Sequence, residues 1–366
     1  MNRQAVVSRI ANALYNVSGK HYLSSDLSIE HIDNRYGINK EVYKVFTNDM
    51  TYFIKISDKK RNILTNQLNN YLCIPQNYSS QSSQKRNLII DEYVDGKLFT
   101  DIVLQAEKTI EMEDVLKLEK KKNEALLKMY SGTKSIKRYF DVINSEANCL
   151  YFESLLGNRY IEYYDNKRFK DLFSKKLIIN GNTYDSVNEI IFGLKEKYLT
   201  IKQDYKIRTI LGHGDAHHQN ILVENKTSKI YFIDNEYNSF IPINMELAKP
   251  YYIDILGNFF FFFNSELLKY IEVILFSISD EKIRIDTKTK KLPKLRIKIA
   301  QNKINTFKEL IRDCNDPISL NEYLIMCHML SRNPSKYSEK VLPIFLAYIP
   351  ILNSFNSLKP EELFKF

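Results

Sequence analysis

Residues 210–237 concentrate the side chains of this sequence that could do chemistry. They read ILGHGDAHHQNILVENKTSKIYFIDNEY, and their polar members include three histidines, three acids and an amide: His213, Asp215, His217, His218, Asn220, Asp234 and Glu236. Such a set allows a zinc site built on histidine, a proton-transfer site built on carboxylates, or a polar loop that joins two core strands.

Zinc is the least favoured of these interpretations. The segment has no cysteine, and His213 and His217 are expected on a loop and not on a helix with an HExxH motif. We expect His213 to brace the loop through backbone hydrogen bonds, His217 to reach a substrate or phosphate, and His218 to lie at the surface. Glu236 could touch a metal or hold the loop, and Asp254, an acid in an apolar run, is expected to anchor the segment.

The two apolar runs of the segment predict an antiparallel hairpin. ILVE and KIYFID are strand-like, and the polar residues NKTS separate them. A hairpin centred near Thr227 places Asn220 opposite Asp234, so an amide oxygen and a carboxylate would lie side by side at its open end. Two hard oxygen ligands, with room for water and phosphate oxygens, suit Mg²⁺.

A carboxylate near such a pair points to phosphoryl transfer from Mg-ATP. Asp215 lies five residues before Asn220 and could orient a hydroxyl and accept its proton. Lys55, near the end of TYFIKIS, supplies a cation for the phosphates, and the turn at Gly37 could bring backbone N–H groups toward them. The sequence contains no GxxxxGK[ST] motif, which excludes a P-loop enzyme.

HGDAHHQN followed by FIDNEY resembles the catalytic loop and metal-binding segment of the aminoglycoside phosphotransferase and choline kinase superfamily. YGINKEVYKV with YFIKI is similar to its nucleotide-binding hairpin, and DEYVDGK to its interlobe linker. The match runs in order over residues 34–97 and 208–257, and it implies a two-lobed protein-kinase-like fold that uses ATP and Mg²⁺. It also implies residue roles: Asp215 as catalytic base, Asn220 and Asp234 as Mg²⁺ ligands, Lys55 on the phosphates, and Glu92 to Val94 offering backbone groups to adenine.

The sequence departs from this family at the partner of the strand-borne lysine. In such folds a helix after the lysine supplies a glutamate that holds it. Between residues 56 and 90 the only acid is Asp58, which is too close to Lys55 to lie on the inner face of that helix. Gln67 or Asn70 could accept a hydrogen bond from Lys55, but more weakly than a charged group.

The order of the elements predicts an α+β protein with two unequal lobes. We expect a strand-rich front followed by a mainly helical remainder, with these elements in the front: a helix over 3–17, two strands within 41–57, a helix over 58–72 and a strand within 87–98. Farther on, LIINGNTY carries a hairpin signal, and Ser186 with Glu189 forms a capping box.

These elements predict three regions along the chain. They are an N-terminal nucleotide-binding lobe at 1–92, a linker at 93–97, and a helical C-terminal lobe at 98–366 that carries the catalytic loop, 210–237.

Two further features concern where the protein works. Residues 253–279 are the most membrane-like, but acids and a lysine interrupt them, so we expect a buried core helix instead of a membrane span. The four cysteines form no CxxC pair and the N-terminus shows no signal peptide, which favours a reduced, cytoplasmic protein with buried thiols.

The formal net charge is +9, and its positive part is densest at residues 282–303, where nine Lys and Arg accompany one Asp. We interpret this basic stretch as a solvated loop and helix face. If it borders the cleft, an anionic sugar or a lipid-linked saccharide becomes a better acceptor than a cationic aminoglycoside. Nucleic acid is not an expected partner.

The sequence therefore predicts a kinase that phosphorylates a hydroxyl of a small molecule, such as an amino alcohol, an aminoglycoside or a saccharide. Two alternatives stay open. The missing helix glutamate would also fit a nucleotide-binding pseudokinase or scaffold, and the helical lobe could admit protein side chains as acceptors.

Overall fold

The computed structural model describes residues 3–32, 41–57, 64–82, 87–109, 111–261, 264–330, 333–355 and 359–364. The elements up to residue 132 are α1 (Arg3–Ser18), β1 (Ser28–His31), β2 (Val42–Phe46), β3 (Thr51–Ser57), α2 (Thr65–Leu68), β4 (Asn77–Ser82), β5 (Asn87–Glu92), β6 (Gly96–Leu98), α3 (Phe99–Thr109) and α4 (Glu113–Gly132).

The elements of the middle of the chain are β7 (Ser135–Arg138), α5 (Tyr139–Ile143), α6 (Glu146–Leu155), α7 (Asn158–Tyr164), α8 (Lys167–Ser174), β8 (Lys176–Ile179), β9 (Asn182–Tyr184), α9 (Val187–Thr200), β10 (Lys206–Gly212), β11 (Ile221–Glu224) and β12 (Ile230–Phe232). The last elements are β13 (Ser239–Ile241), α10 (Ile243–Tyr252), a π-helical segment (Ile253–Gly257), α11 (Asn258–Phe261), α12 (Asn264–Tyr270), β14 (Ile271–Ile278), β15 (Lys282–Thr289), α13 (Lys294–Arg312), α14 (Leu320–Leu330) and α15 (Leu342–Ser354).

The chain divides into two compact units. The first comprises Met1–Asp101 and Gln219–Glu236, and the second comprises Ile102–His218 and Tyr237–Phe366. An antiparallel sheet dominates the N-terminal part and helices dominate the remainder, so the predicted α+β class is confirmed. The lobe and linker boundaries near residues 92 and 97 stay predictions. The segment of β11 and β12, which we placed in the C-terminal lobe, packs within the first unit.

The first unit is built on an antiparallel sheet in the order β1–β2–β3–β5–β4. Alternation in β3 buries Tyr52, Ile54 and Ile56, and these side chains join Val6 and Ile10 of α1 in one core. Burying an isoleucine of this kind stabilises the fold by about 1.5–3 kcal/mol. This core determines the register of β3, and therefore the face on which Lys55 lies.

A second, smaller antiparallel sheet of the first unit has the order β12–β11–β6. Leu222 of β11 pairs with Tyr231 on one side and with Leu98 on the other. The backbone N–H of Phe232 also donates to the carbonyl of Cys73 at 2.8 Å. The hairpin that carries Asn220 and Asp234 is therefore fixed to the first unit by its backbone.

The second unit is mainly helical, with a short antiparallel sheet in the order β13–β10–β7. β10 is the strand that leads into the loop with Asp215, and its residues 209–212 are buried. β13 pairs with the end of β10, with Gly212 opposite Ser239. Since β7 pairs with residues 206–209 of β10 and β13 with residues 210–212, the loop starts from a strand whose backbone is paired along its whole length.

We predicted that residues 253–279 form one buried helix, and this prediction is wrong. Residues 253–261 and 264–270 are helical, and residues 271–278 form β14, which pairs with β15 in a sheet of order β14–β15–β8–β9. Three apolar side chains of β14 are exposed, Ile274 at 60%, Ile278 at 49% and Leu275 at 38%. The run IEVILFSI is rich in β-branched and aromatic residues, which fit a pleated surface better than a helix. No helix among the described residues is long and apolar enough to cross a membrane.

The basic stretch, residues 282–303, is not one solvated face either. Lys282, Arg284 and Lys288 are exposed on β15, as expected of a solvated surface. Arg296 and Lys303 on α13 are instead buried, at 1% and 3% exposure. Their charges are used inside the second unit, so the net charge overstates what this stretch presents to a ligand.

Most local predictions agree with the structure. α1, the strands β2 and β3, the β8–β9 hairpin and the Ser186–Glu189 capping box of α9 are confirmed. The helix predicted over 58–72 is reduced to α2 within residues 64–72, and its first six residues lie outside the described ranges. Of the cysteines only Cys327 is buried, and Cys149 is exposed, which corrects the expectation of buried thiols.

Candidate functional site

The β11–β12 hairpin forms, but its register differs by one residue from the prediction. Ile221 pairs with Phe232 and Leu222 with Tyr231. Asn220 therefore lies opposite Ile233, whose N–H donates to the Asn220 carbonyl at 3.0 Å. The turn before β12 ends at Ser228 with a positive φ of 55°, a conformation that was not visible in NKTS. The predicted pairing of Asn220 with Asp234 is wrong.

Asp234 nevertheless takes up a special position at the open end of this hairpin. Its φ is +60°, in the left-handed region that Asp enters more readily than most residues. This conformation ends β12 and turns the chain into the 3-10 turn Asn235–Tyr237. Strand alternation therefore does not decide where the Asp234 carboxylate points.

The Asp234 carboxylate meets Lys55 of β3, also in the first unit. The Lys55 ammonium lies 2.7 Å from Asp234 Oδ1 and 2.7 Å from Glu236 Oε1. We call these three residues the Lys55 cluster. Burial would lower the pKa of Lys55, but Asp234 and then Glu236 outweigh it and raise the pKa above its usual range. Lys55 is therefore charged at any physiological pH, with one positive charge against two carboxylates.

The Lys55 cluster replaces the helix glutamate that the sequence lacks. The acids that hold Lys55 come from the segment after β12, FIDNEY, and not from a helix after β3. Glu236, which we left open between a metal and the loop, binds Lys55. Gln67, one of the two uncharged partners we considered, is exposed on α2. Two charged partners hold a lysine more strongly than one amide.

The other predicted nucleotide-binding residues are placed as follows. Gly37 lies outside the described residues. Glu92 ends β5, and its backbone N–H donates to the Gln76 carbonyl at 2.8 Å. Val94 follows as a buried residue between β5 and β6. A role of Glu92 and Val94 toward adenine stays a prediction.

In the second unit, the loop HGD follows β10 and is held by Glu246 of α10. The Glu246 carboxylate accepts the backbone N–H groups of His213 at 3.0 Å and Gly214 at 2.8 Å, and the hydroxyl of Tyr130 at 2.7 Å. Burial raises the pKa of Glu246 to about 7, against these three donors. The carboxylate thus clamps the backbone immediately before Asp215.

Glycine is required twice in this loop. A Cβ on Gly212 would come within 2.5 Å of Glu246 Oε2, and one on Gly214 within 2.3 Å of the Tyr237 carbonyl oxygen. Gly214 also has a positive φ of 78°. The glycine of the HGD motif is therefore explained by close backbone approach and by its conformation.

Asp215 is buried in the second unit and lies among cationic and polar groups. Lys249 of α10 places its ammonium 2.6 Å from Asp215 Oδ1, and His217 Nε2 lies 3.1 Å from the same oxygen. Burial alone would raise the pKa of Asp215, but Lys249 and then His217 hold the pKa well below its usual range. His213 accepts the Asp215 N–H at its Nδ1, 3.3 Å away, so its predicted bracing role is confirmed.

We predicted His218 at the surface, and this prediction is wrong, because the residue is only 1% exposed. It belongs to a fully buried group of charges in the second unit, which we call the buried ion cluster: Glu119, Lys122, His218, Asp254 and Lys303. His218 Nε2 lies 2.7 Å from Glu119 Oε2, and its backbone N–H donates to Asp254 Oδ1 at 2.8 Å. The anchoring role predicted for Asp254 is confirmed by that bond.

Two lysines complete the buried ion cluster. Lys303 Nζ lies 2.7 Å from Glu119 Oε1 and 3.0 Å from Asp254 Oδ2, and Lys122 Nζ lies 3.0 Å from Glu119 Oε2. Burial lowers the pKa of His218 to about 4 and that of Lys122 to about 8. His218 is consequently neutral at neutral pH, and the two carboxylates are balanced by the two lysines.

The three histidines of the motif thus face different partners. His213 supports the Asp215 backbone, His217 contacts the Asp215 side chain, and His218 joins the buried ion cluster. Within the described ranges, no group of three or more His, Cys, Asp and Glu side chains could hold a metal ion. An oxygen-ligand site that includes Asn220 is a different kind of site and stays a prediction.

Lys249 and Glu246 were missed by reasoning from the sequence. Both lie on α10 in NMELAKPYY, 31 and 34 residues after Asp215, and neither shows a spacing that marks it. Lys249 is one of 40 lysines. The usable signal for Glu246 was an acid within an apolar helical run, and we used that signal only for Asp254.

Some known proteins resemble this chain in their solved structures. No family model and no curated protein matches the chain. Among solved structures, a Plasmodium vivax ethanolamine kinase is similar to it, with a TM-score of 0.48 and 14% identity over 90% of this chain and 85% of that one. An aminoglycoside-3'-phosphotransferase of type VIII is similar with a TM-score of 0.43 and 11% identity, over 87% and 97%.

Proposed function

We propose that this protein is an ATP- and Mg²⁺-dependent phosphotransferase that moves the γ-phosphoryl group to a hydroxyl of a small molecule, such as an amino alcohol, an aminoglycoside or a saccharide. One observation carries the proposal. The strand-borne Lys55 lies 2.7 Å from both Asp234 and Glu236, which links the lysine to the FIDNEY segment predicted to bind metal.

The first unit would bind the charged end of the nucleotide. Lys55 would contact phosphate oxygens of ATP, and Gly37, Glu92 and Val94 would contribute backbone groups. Asn220 and Asp234 would hold Mg²⁺, which neutralises charge on the phosphates when bound. The Lys55 cluster fits a cation, since its two carboxylates carry one charge more than its lysine and Asp234 is 34% exposed.

Asp215 of the second unit would act on the acceptor hydroxyl. In the transfer, a bond forms between the acceptor oxygen and the γ-phosphorus, the bond from that phosphorus to the β–γ bridging oxygen breaks, and ADP leaves. The proton of the hydroxyl passes to Asp215. Since its pKa is held low, Asp215 is ionised and orients the hydroxyl, and proton transfer comes late, as in a loose transition state.

The test is a screen for transfer from ATP to hydroxyl compounds, read by mass spectrometry, with wild-type protein and Asp215→Asn. We expect turnover to fall about 10²- to 10⁴-fold in Asp215→Asn, because general-base assistance is lost. ATP binding should persist. Asp286→Asn, an acid paired with the exposed Arg284 on β15, is the control and should keep full turnover.

Near-normal turnover of Asp215→Asn would contradict the role of Asp215. Strict inactivity of the wild type with every small acceptor and with protein acceptors, despite ATP binding, would favour the pseudokinase alternative. That alternative was motivated by the absence of a helix glutamate, and Asp234 and Glu236 now supply Lys55 with acidic partners.

A further inference from the structure

Lys249 is a charged residue beside Asp215 to which the proposed reaction gives no role. Its ammonium lies 2.6 Å from Asp215 Oδ1. Both residues belong to the second unit, so the contact lies within one compact body. An acceptor hydroxyl that approaches Asp215 therefore comes close to a fixed positive charge.

The fold holds this lysine in place from both sides. α10 is buried almost throughout, including Met245, Leu247 and Ala248 on the turn before Lys249. The ammonium also lies 5.8 Å from the centre of the Tyr237 ring, near enough for a cation–π interaction. With its side chain 16% exposed, Lys249 is more accessible than Asp215 at 8%, so a ligand can reach it.

The charges around Asp215 are unfavourable for a cationic acceptor. Lys249 contributes a positive charge, and His217 offers a nitrogen at 3.1 Å from the same Asp215 oxygen. The neighbouring carboxylate of Glu246 already accepts two backbone N–H groups and the Tyr130 hydroxyl. An ammonium group next to the reacting hydroxyl would meet Lys249, whereas a carboxylate or phosphate would pair with it.

We propose, on the basis of the function proposed above, that Lys249 is a specificity-determining residue. It selects an acceptor that carries a carboxylate or phosphate group close to the reacting hydroxyl, and it disfavours amino alcohols and amino sugars. Among the acceptor classes of the proposed function, this singles out an anionic saccharide.

The experiment uses three pools of acceptors with matched carbon skeletons. One pool holds neutral sugars and polyols, one their uronic acids and monophosphates, and one their amino counterparts. Transfer from ATP is measured as kcat/KM in each pool for wild type, Lys249→Met and Lys249→Glu. The control is Lys195→Met, because Lys195 also lies over a tyrosine ring, 4.0 Å from the centre of Tyr160, on α9 of the same unit.

We expect wild-type protein to prefer the acidic over the amino pool. Lys249→Met should lower that preference about 10-fold, and Lys249→Glu should shift it toward the amino pool by about 100-fold, since one and two unit charges are changed near the acceptor. Lys195→Met should leave the preference unchanged. Lys249→Met keeps the volume of the side chain and provides the decisive result if Lys249→Glu does not fold.

A wild-type preference for the amino pool would overturn the inference and leave the proposed function intact. An equal loss in all pools for Lys249→Met would also overturn it, because Lys249 would then act on the transferred phosphoryl group and not on the acceptor. Absence of transfer by wild type in every pool would count against the proposed function itself, and against this inference with it.

Discussion

Lys55 and Lys303 each lie between two carboxylates, and the two sites differ in how far water reaches them. Lys55 lies 2.7 Å from Asp234 and from Glu236, and the Asp234 side chain is 34% exposed. Lys303 lies 2.7 Å from Glu119 and 3.0 Å from Asp254, and both acids are 0% exposed. One lysine between two carboxylates thus occurs once at a partly exposed position and once in a core.

The difference in burial separates two roles. In the buried ion cluster every charge has lost its water, so each needs all of its partners, and the group can stabilise only the native arrangement. In the Lys55 cluster, Asp234 can exchange a contact with Lys55 for one with water, a metal or a ligand. We infer that the buried ion cluster fixes the position of the chain after the HGD loop, and that the Lys55 cluster binds a metal or another ligand.

The largest effect that distinguishes the two clusters is on stability. Lys303→Met would leave Glu119 and Asp254 buried with too little positive charge, and we expect a loss of about 3–5 kcal/mol in the free energy of unfolding. Lys55→Met should cost at most about 1–2 kcal/mol, because water can solvate Asp234. Chemical denaturation of both variants measures the difference.

Lys298→Met provides the control for the first variant, since Lys298 is exposed on the same helix as Lys303. It should unfold like wild type. Equal destabilisation by Lys55→Met and Lys303→Met would contradict the division between a binding and a structural cluster.

A smaller effect concerns pH and arises from His218. The unfolded chain protonates this histidine near pH 6.5, whereas in the fold burial lowers its pKa to about 4. The folded state therefore loses stability as the pH falls from 6.5 to 4, by up to about 3 kcal/mol. Lys55 itself should add nothing in this range, because its pKa is raised above its usual value.

The measurement is the difference in unfolding free energy between wild type and His218→Gln from pH 7.5 to 4. Glutamine can donate to Glu119 but does not titrate, and groups elsewhere, such as Glu246, cancel in the difference. We expect the advantage of wild type to shrink as the pH falls through this range. A difference that is constant with pH would show that His218 is not kept neutral by its surroundings.

The sequence predicted the elements of the fold where the hydrophobic pattern and turn residues agree. β2, β3 and α9 follow from alternation, from a polar turn and from the capping box at Ser186, which are all local signals. The same is true of the motif residues, because HGD and FIDNEY are short contiguous runs that single out Asp215 and Asp234 as candidates.

Predictions failed where the outcome depends on contacts between distant parts of the chain. The register of the β11–β12 hairpin shifted because Ser228 adopts a positive φ, which NKTS does not reveal. His218 was placed at the surface because its partners, Glu119 and Asp254, lie 99 and 36 residues away. Lys249 has no motif at all, since only the packing of α10 brings it to Asp215.

The central claim, that the Lys55 cluster binds Mg-ATP, is tested most directly by calorimetric titration of ATP with and without Mg²⁺. We expect Mg²⁺ to tighten ATP binding by wild-type protein, and Asp234→Asn to reduce that gain about tenfold, or about 1.4 kcal/mol. Asp49→Asn, which removes an exposed acid paired with Lys20 in the same unit, should keep the full Mg²⁺ effect. An identical Mg²⁺ effect in wild type and Asp234→Asn, or no ATP binding by wild type, would contradict the claim.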